Sequence, residues 1–326
     1  MSGFIRPKIR FWFASRIQRV KRFIRNVILR RQASYIGAQN ELRRYEDFQG
    51  EVDAKLRYLL NEVSDLRVLM RYLLPESENY QRFVQETNAS FDYQWKNLDS
   101  GLHLLTDPAF QENAASLVEE YTGLSRDWFE GRKVLDAGCG NGRWSWVLCK
   151  LGAKVVAIDQ SISGVEAARE ACSSFPNFTA KQQDLLEDIG MPGEFDFVWA
   201  YGLVHHTGNT WRAIRQIAEC VRPSGYLFMM IYGEPRWDQL VDFIEVNNYV
   251  ELRRKLATMD LDERVEYLRR SKKEELVHAW FDTASPRIND LHRFDEVYEW
   301  LRMLGFTNIH LTLPRRNLHL MAQRLQ

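Results

Sequence analysis

VLDAGCGNGRWS, residues 134–145, runs from a short apolar stretch into an acid at Asp136, then alternating glycines at Gly138, Gly140 and Gly142, then the start of an amphipathic helix at about Arg143. The order is a strand, a tight turn without side chains, and a helix N-terminus. Glycine is needed where the backbone takes positive φ or where a ligand must approach the main chain closely. Dinucleotide and nucleoside triphosphate sites use related turns. Here the carboxylate two residues before the first glycine would repel a pyrophosphate, whereas it would attract an ammonium or a sulfonium. The Gly-Lys-Ser/Thr ending of a phosphate loop is also missing.

Working outward, strands are expected at 133–137, 154–158, 178–183, 195–200 and 226–231, with helices from 143 to Leu151, from Ile162 to Ser173 and over 210–221. Gly152 stops the first of these helices, and a Pro-Ser-Gly turn at Pro223 precedes the fifth strand. A helix over 294–304, capped by Gly305, and closing runs at Thr307–Leu313 and Leu318–Gln323 bring the expected sheet to seven strands. Such alternation predicts an α/β fold with a doubly wound, mostly parallel sheet. Ligands of these sheets bind at the carboxyl ends of the strands. Asp136 with its glycines, Asp159 with Gln160, Asp184, and Tyr201 with Gly202 therefore share one rim. Asp159, 19 positions after Gly140, is placed to accept hydrogen bonds from ribose hydroxyls.

The stretch resembles the first motif of class I S-adenosylmethionine (SAM) dependent methyltransferases, and the resemblance extends over about Phe91 to Gln323. VVAIDQS (155–161), QQDLLE (182–187), FDFVWAYGLVHHT (195–207) and VRPSGYLFMMIY (221–232) follow in the order of the family's later motifs. The resemblance implies a Rossmann-like methyltransferase fold with SAM as cofactor. It implies that Asp136 and Gly138 contact the amino-acid end, with Gly140 in the same turn, and that Asp159 and Gln160 lie at the ribose. It places Asp184 and Leu185 at the adenine, and Ala200 and Tyr201 near the methionyl part. Serine in Pro-Ser-Gly, where the family often has a second glycine, is a mild departure.

The acceptor is less plainly written. The Asn/Asp-Pro-Pro-aromatic signature of adenine N-methylation is absent after the fourth strand, and so is a Pro-Cys nucleophile for C5 methylation. The strand leads instead into His205-His206-Thr, which resembles the UbiE-like small-molecule and glycan branch. Either histidine could take a hydroxyl proton near neutral pH, or both could cap the next helix or pack beside the cofactor. FDTASPRINDLHRF (281–294) supplies Arg287, suited to bidentate binding of an acidic or phosphorylated acceptor, and His292 as an alternative base. The same segment also reads as a surface turn whose arginine pairs with a neighbouring carboxylate. Tyr232, with Trp144, Trp199 and Tyr201, is expected either to line a dry pocket facing the sulfonium or to belong to the core.

The chain has 44 basic and 44 acidic residues among 326, but residues 1–31 hold ten Lys or Arg and no acid, which leaves 34 against 44 for the rest. Within that arm, Ile9, Phe13, Ile17, Val20, Ile24 and Val27 recur at helical spacing beside arginines. A basic amphipathic helix over 4–31 fits an anionic membrane surface; a partner helix or nucleic acid would suit the same pattern. From Leu42 to Leu73 heptads place Leu42, Gln49, Leu56, Val63 and Met70 on one seam position and Tyr45, Val52, Leu59, Leu66 and Leu73 on the other. That spacing argues for a self-associating coiled coil, or for one amphipathic helix folded back on its own domain. Pro75 ends it.

The expected organisation is a basic helix (1–31), a coiled-coil helix (32–75), a linker that covers the site (76–109) and a methyltransferase domain (110–326) with a helical insertion, 237–290, as substrate lid. Four cysteines without CxxC spacing argue against zinc and a disulfide framework, so no metal is expected. The arm lacks the apolar core of a signal peptide, and no run reaches the ~18 uninterrupted apolar residues of a membrane span. A cytoplasmic protein is the expectation, either soluble or peripheral on the inner face of the cytoplasmic membrane. The function expected is SAM-dependent O-methylation of a small molecule, sugar or lipid-linked glycan by a homo-oligomer. The alternatives are a catalytically silent SAM-binding scaffold and an RNA methyltransferase. The acidic body, which carries no recognisable RNA-binding module, disfavours nucleic acid.

Overall fold

The computed structural model describes residues 78–98, 107–234 and 240–326. The basic helix expected over 1–31 and the heptads of 42–73 lie outside the described residues. Among the described residues no helix is long and apolar enough to cross a membrane.

The described residues begin with α1 (Glu78–Asn97) and α2 (Pro108–Thr122) and then alternate: β1 (Lys133–Ala137), α3 (Arg143–Lys150), β2 (Lys154–Asp159), α4 (Ile162–Ala171), β3 (Phe178–Gln182), β4 (Phe195–Tyr201), α5 (Thr210–Cys220) and β5 (Val221–Ile231). Helices α6 (Leu240–Leu256), α7 (Leu261–Ser271) and α8 (Val277–Ala284) interrupt the alternation before α9 (Phe294–Met303), β6 (Phe306–Leu311) and β7 (Leu318–Arg324). The seven strands stand in the order β3-β2-β1-β4-β5-β7-β6. Strand β7 runs antiparallel to both its neighbours and the remaining pairs are parallel. This is the doubly wound, mostly parallel α/β sheet that the alternation predicts.

Burial on both faces explains why the central strands are almost continuously apolar. In β4, Phe197 and Trp199 pack with Val118 and Tyr121 of α2 and Val147 and Leu148 of α3. Val198 and Ala200, which alternate with them, pack with Ile214 and Ile217 of α5 and Leu301 of α9. All four of these strand residues are fully buried. Caps fix where the helices begin. Asp107 accepts the amide of Ala109 ahead of Pro108, Asn209 accepts that of Arg212, and Asp260 with Glu263 forms a reciprocal box at α7. Each such cap typically contributes ~1 kcal/mol.

Pro223-Ser-Gly does not form a turn ahead of the fifth strand, as the sequence led us to expect; β5 runs through it. Val221 pairs with Phe195 and Tyr226 with Phe197, so the extra residues bulge out of the ladder, and Ser224 takes φ +60°. Gly225 is required there because a Cβ would lie 2.9 Å from the carbonyl oxygen of Asp196. Residues 78–97, expected as part of a linker, form a 20-residue helix instead. The insertion has a small core of its own, Leu256, Val265, Leu268, Val277 and Phe281, against which Tyr93 of α1 packs. Helix α1 and the insertion thus share one body over the carboxyl ends of the strands.

Candidate active site

Each glycine of the 138–142 turn has positive φ, 75°, 50° and 82° in order. The amides of Gly138 and Cys139 both donate to the carbonyl of Ile158, at 2.7 and 3.0 Å, so the turn is tied to the end of β2. A Cβ on Gly138 would lie 2.6 Å from the side chain of Leu203. The turn is therefore pressed between β2 and the loop after β4, and it leaves main chain exposed to a cavity of about 280 Å³.

Around that cavity lie Gly138, Gly140, Asp159, Gln160, Asp184 and Leu185. Asp159 accepts the amides of Gly140 at 2.9 Å and Ser161 at 2.8 Å. Burial raises its carboxyl above the usual range against the pull of those two amides. Asp184 accepts the amide of Leu186 at 2.8 Å, which fixes its side chain at the end of β3. Tyr201 and Tyr232 also line the cavity. Burial lifts both phenols well above their ordinary pKa, so both are neutral donors.

Asp136 does not line the cavity. It is buried beneath the turn and accepts the hydroxyl of Ser145 at 2.6 Å. Burial, opposed by Ser145, pushes its carboxyl up to about 7, with the Asp159 charge adding to the rise. From there it braces the turn through Ser145. Ala200, on the opposite face of β4 from Tyr201, packs in the core beneath.

The histidines separate. His206 lines the cavity; its Nδ1 donates to the carbonyl of Ile288 at 2.9 Å, so Nε2 carries the lone pair, buried and without a partner among the described residues. Burial, opposed by the Ile288 bond and helped by the charge of Arg253, lowers its pKa to about 4. His205 stacks on Tyr232 at 3.9 Å and accepts its backbone amide at 3.4 Å; burial holds it well below the ordinary imidazole range. It faces away from the cavity and positions Tyr232. His292 is fully buried between Glu296, at 3.0 Å, and Thr210, at 3.0 Å, outside the cavity. Arg287 is also elsewhere: it pairs with Glu86 at 3.1 Å, lies over the ring of Phe83, and borders a separate cleft with Arg253 and Arg254.

Several residues that line the cavity were not singled out from the sequence. Helix α1 contributes Phe91, Gln94 and Trp95, and α8 contributes His278 and Asp282. Gln94 donates to Asp282 at 3.1 Å, which joins the two elements across the cavity. Arg143, immediately after the third glycine, lines it too, beside Trp144, which the sequence offers as either a pocket wall or core. The indole N–H of Trp144 is buried without a partner among the described residues. Arg143 was legible as the first side chain after the turn; Asp282 was hidden inside a segment whose arginine and histidine drew attention first.

Residues 134–225 match the protein family described as methyltransferase domain. Among curated proteins, the mitochondrial ubiquinone biosynthesis O-methyltransferase of Schizosaccharomyces pombe is 26% identical over 183 residues, 52% of this chain and 65% of that protein. The ubiquinone biosynthesis O-methyltransferase of Xanthomonas campestris pv. campestris is 35% identical over 102 residues, 30% of this chain and 42% of that one. The chain thus matches less than two thirds of the length of either relative. An O-methyltransferase family protein from Burkholderia thailandensis superposes with a TM-score of 0.46 at 15% identity, covering 67% of this chain and 58% of that one.

Proposed function

We propose that the chain, whose residues 134–225 match a methyltransferase domain, is a class I SAM-dependent enzyme that transfers the methyl group to a hydroxyl of a small molecule held between the glycine turn and the α1–α8 roof. One observation carries this reading. One cavity is lined both by Asp159 and Asp184 and by His206, Tyr232 and Asp282, so donor and acceptor can share one space.

The residues fit the cofactor. Asp159 and Gln160 offer acceptors for ribose hydroxyls, and Asp184 and Leu185 flank the place for an adenine. The orphaned indole N–H of Trp144, beside the guanidinium of Arg143, suits the methionyl carboxylate. Bound there, SAM supplies an electrophilic methyl on a sulfonium. The chain's own contribution is alignment and exclusion of water. In-line placement is worth on the order of 7 to 11 kcal/mol, and Phe91, Trp95 and Leu203 keep the cavity walls apolar around it.

The neutral Nε2 of His206 accepts a hydrogen bond and orients the acceptor. With a pKa near 4 it is a weak proton acceptor at neutral pH. The residue range 237–290 acts as the acceptor lid. We extend the reading to a sugar or lipid-linked acceptor, to self-association through residues 42–73, and to an anionic membrane surface for residues 4–31; the sequence patterns support these. The test is titration calorimetry with S-adenosylhomocysteine (SAH), paired with mass spectrometry of metabolites from cells with and without the gene. Saturable SAH binding and loss of a methylated species are expected. Absence of SAH binding overturns the reading.

A further inference from the structure

Resting on that reading, we propose that Asp282 is the catalytic base of the reaction and that the acceptor is therefore a neutral alcohol or phenol, whose reacting O–H donates to the Asp282 carboxylate. Three features place it there. Asp282 lies on the face of α8 turned to the cavity, with His278 one turn before it. Gln94 of α1 donates to one carboxylate oxygen at 3.1 Å, and the other oxygen has no partner among the described residues. The charge facing it is that of Arg143, on the far side of the cavity beside the glycine turn. The carboxylate is thus held by one fixed bond and leaves one oxygen for a ligand.

The chemistry of a half-buried carboxylate on the cavity wall selects the acceptor. A carboxylate acceptor would be repelled by the Asp282 charge. An amine would bind as ammonium, ion-paired to Asp282, and would keep protonated the lone pair it needs. A hydroxyl donates its proton to Asp282 and keeps lone pairs free. As the acceptor oxygen forms its bond to the methyl carbon, its O–H bond breaks and the proton passes to the free oxygen of Asp282. The electrons of the methyl–sulfur bond return to sulfur, leaving a neutral thioether and an ether product, and nothing is oxidised or reduced. The proton leaves to water when the product departs. Burial, which raises the Asp282 carboxyl above the usual range, makes it a stronger base than an exposed aspartate.

The test compares the wild type with Asp282→Asn, and with Gln94→Leu as a second variant. The probes are SAH in calorimetry and methyl-labelled SAM with an organic extract of the source cells. Both variants should bind SAH within twofold of wild type, which shows that they fold and keep the cofactor site. Label transfer should fall at least a hundredfold in Asp282→Asn, as removal of a general base typically costs, and by a smaller factor in Gln94→Leu. The labelled product should be an ether, stable to alkali. Transfer by Asp282→Asn within tenfold of wild type into an alkali-stable ether overturns the role of Asp282 and leaves O-methylation standing. Label on nitrogen or in a base-labile ester, or no transfer although SAH binds, overturns the acceptor class. Failure of the wild type to bind SAH instead overturns the methyltransferase reading beneath it.

Discussion

The indole of Trp95, on a helix that precedes the sheet in the chain, lies against the backbone of Gly140: a Cβ on that glycine would sit 2.6 Å from the ring. Gly140 also takes φ +50° and donates its amide to Asp159. Gly140→Ala therefore meets a backbone penalty of about 1 to 2 kcal/mol and displaces the roof together with the Asp159 carboxylate. Binding of SAH should weaken at least tenfold by calorimetry, with a lower Tm. Wild-type affinity would contradict the contact.

On the proposed reading, Asp159→Ala removes a carboxylate from the ribose end without altering the methionyl end. The loss should be about 1.5 to 3 kcal/mol, the worth of a hydrogen bond to a charged group. Because the missing contact belongs to the ribose, 5′-methylthioadenosine should lose as much affinity as SAH. A loss confined to SAH would place Asp159 at the amino-acid part instead.

His206 makes stability depend on pH with a predictable sign. Its pKa falls from 6.5 unfolded to about 4 folded, so the unfolded chain binds the extra proton between those values. The stabilisation is complete above pH 6.5 and is lost as the pH falls towards 4, roughly 3 kcal/mol over the window. Asp136, raised from 3.8 to about 7, acts in the opposite direction: its protonated folded form stabilises below 3.8, and the effect is lost as pH rises through 7. The difference between wild type and His206→Gln isolates the histidine. Denaturant unfolding at pH 7.5 and pH 5 should show the gap narrowing at the lower pH; a gap that does not narrow would mean that His206 is solvated.

The heptads from Leu42 to Leu73 predict that the full chain scatters light as an oligomer and that a chain beginning near Ser77 scatters as a smaller species. A monomer at micromolar concentration with residues 1–76 present would mean the seam packs internally.

The arm of ten positive charges predicts co-sedimentation of the full chain with anionic vesicles and loss of it when residues 1–31 are removed. Each Lys or Arg near such a surface contributes about 1 kcal/mol, and Trp12 fluorescence should shift to the blue. Equal sedimentation of the two proteins would remove the membrane from the reading.

The central strands were legible because burial on both faces leaves an uninterrupted apolar run, as in Phe195–Tyr201, and because glycines at 138, 140 and 142 admit few readings. Helix α1 was hidden for the opposite reason. Its buried positions are filled largely by Thr87, Ser90 and Gln94, exposed by 0%, 1% and 2%, which are satisfied by partners far along the chain and carry no hydrophobic period. Pro223-Ser-Gly carried correct turn chemistry, spent on a bulge. His292 and Arg287 were recognisable as chemically capable, but only the fold decides what lies beside them. Sequence spacing has no means of telling Thr210 and Glu296 from a substrate.

The hydrogen bonds of α1 give the site an order of assembly. Thr87 receives the amide of Ile288, 201 residues later, and Ser90 bonds Ser285, 195 residues later. On the ribosome α1 emerges before the sheet, and then waits through synthesis of the first five strands and most of the insertion for the groups that hold it. Contacts so distant in sequence close late and slowly. A nascent chain stopped after β5 would hold the glycine turn and the sheet around it, but it would lack Asp282 and the anchors at residues 285 and 288. The roof over the glycine turn is therefore completed only once residues 282–288 have been made.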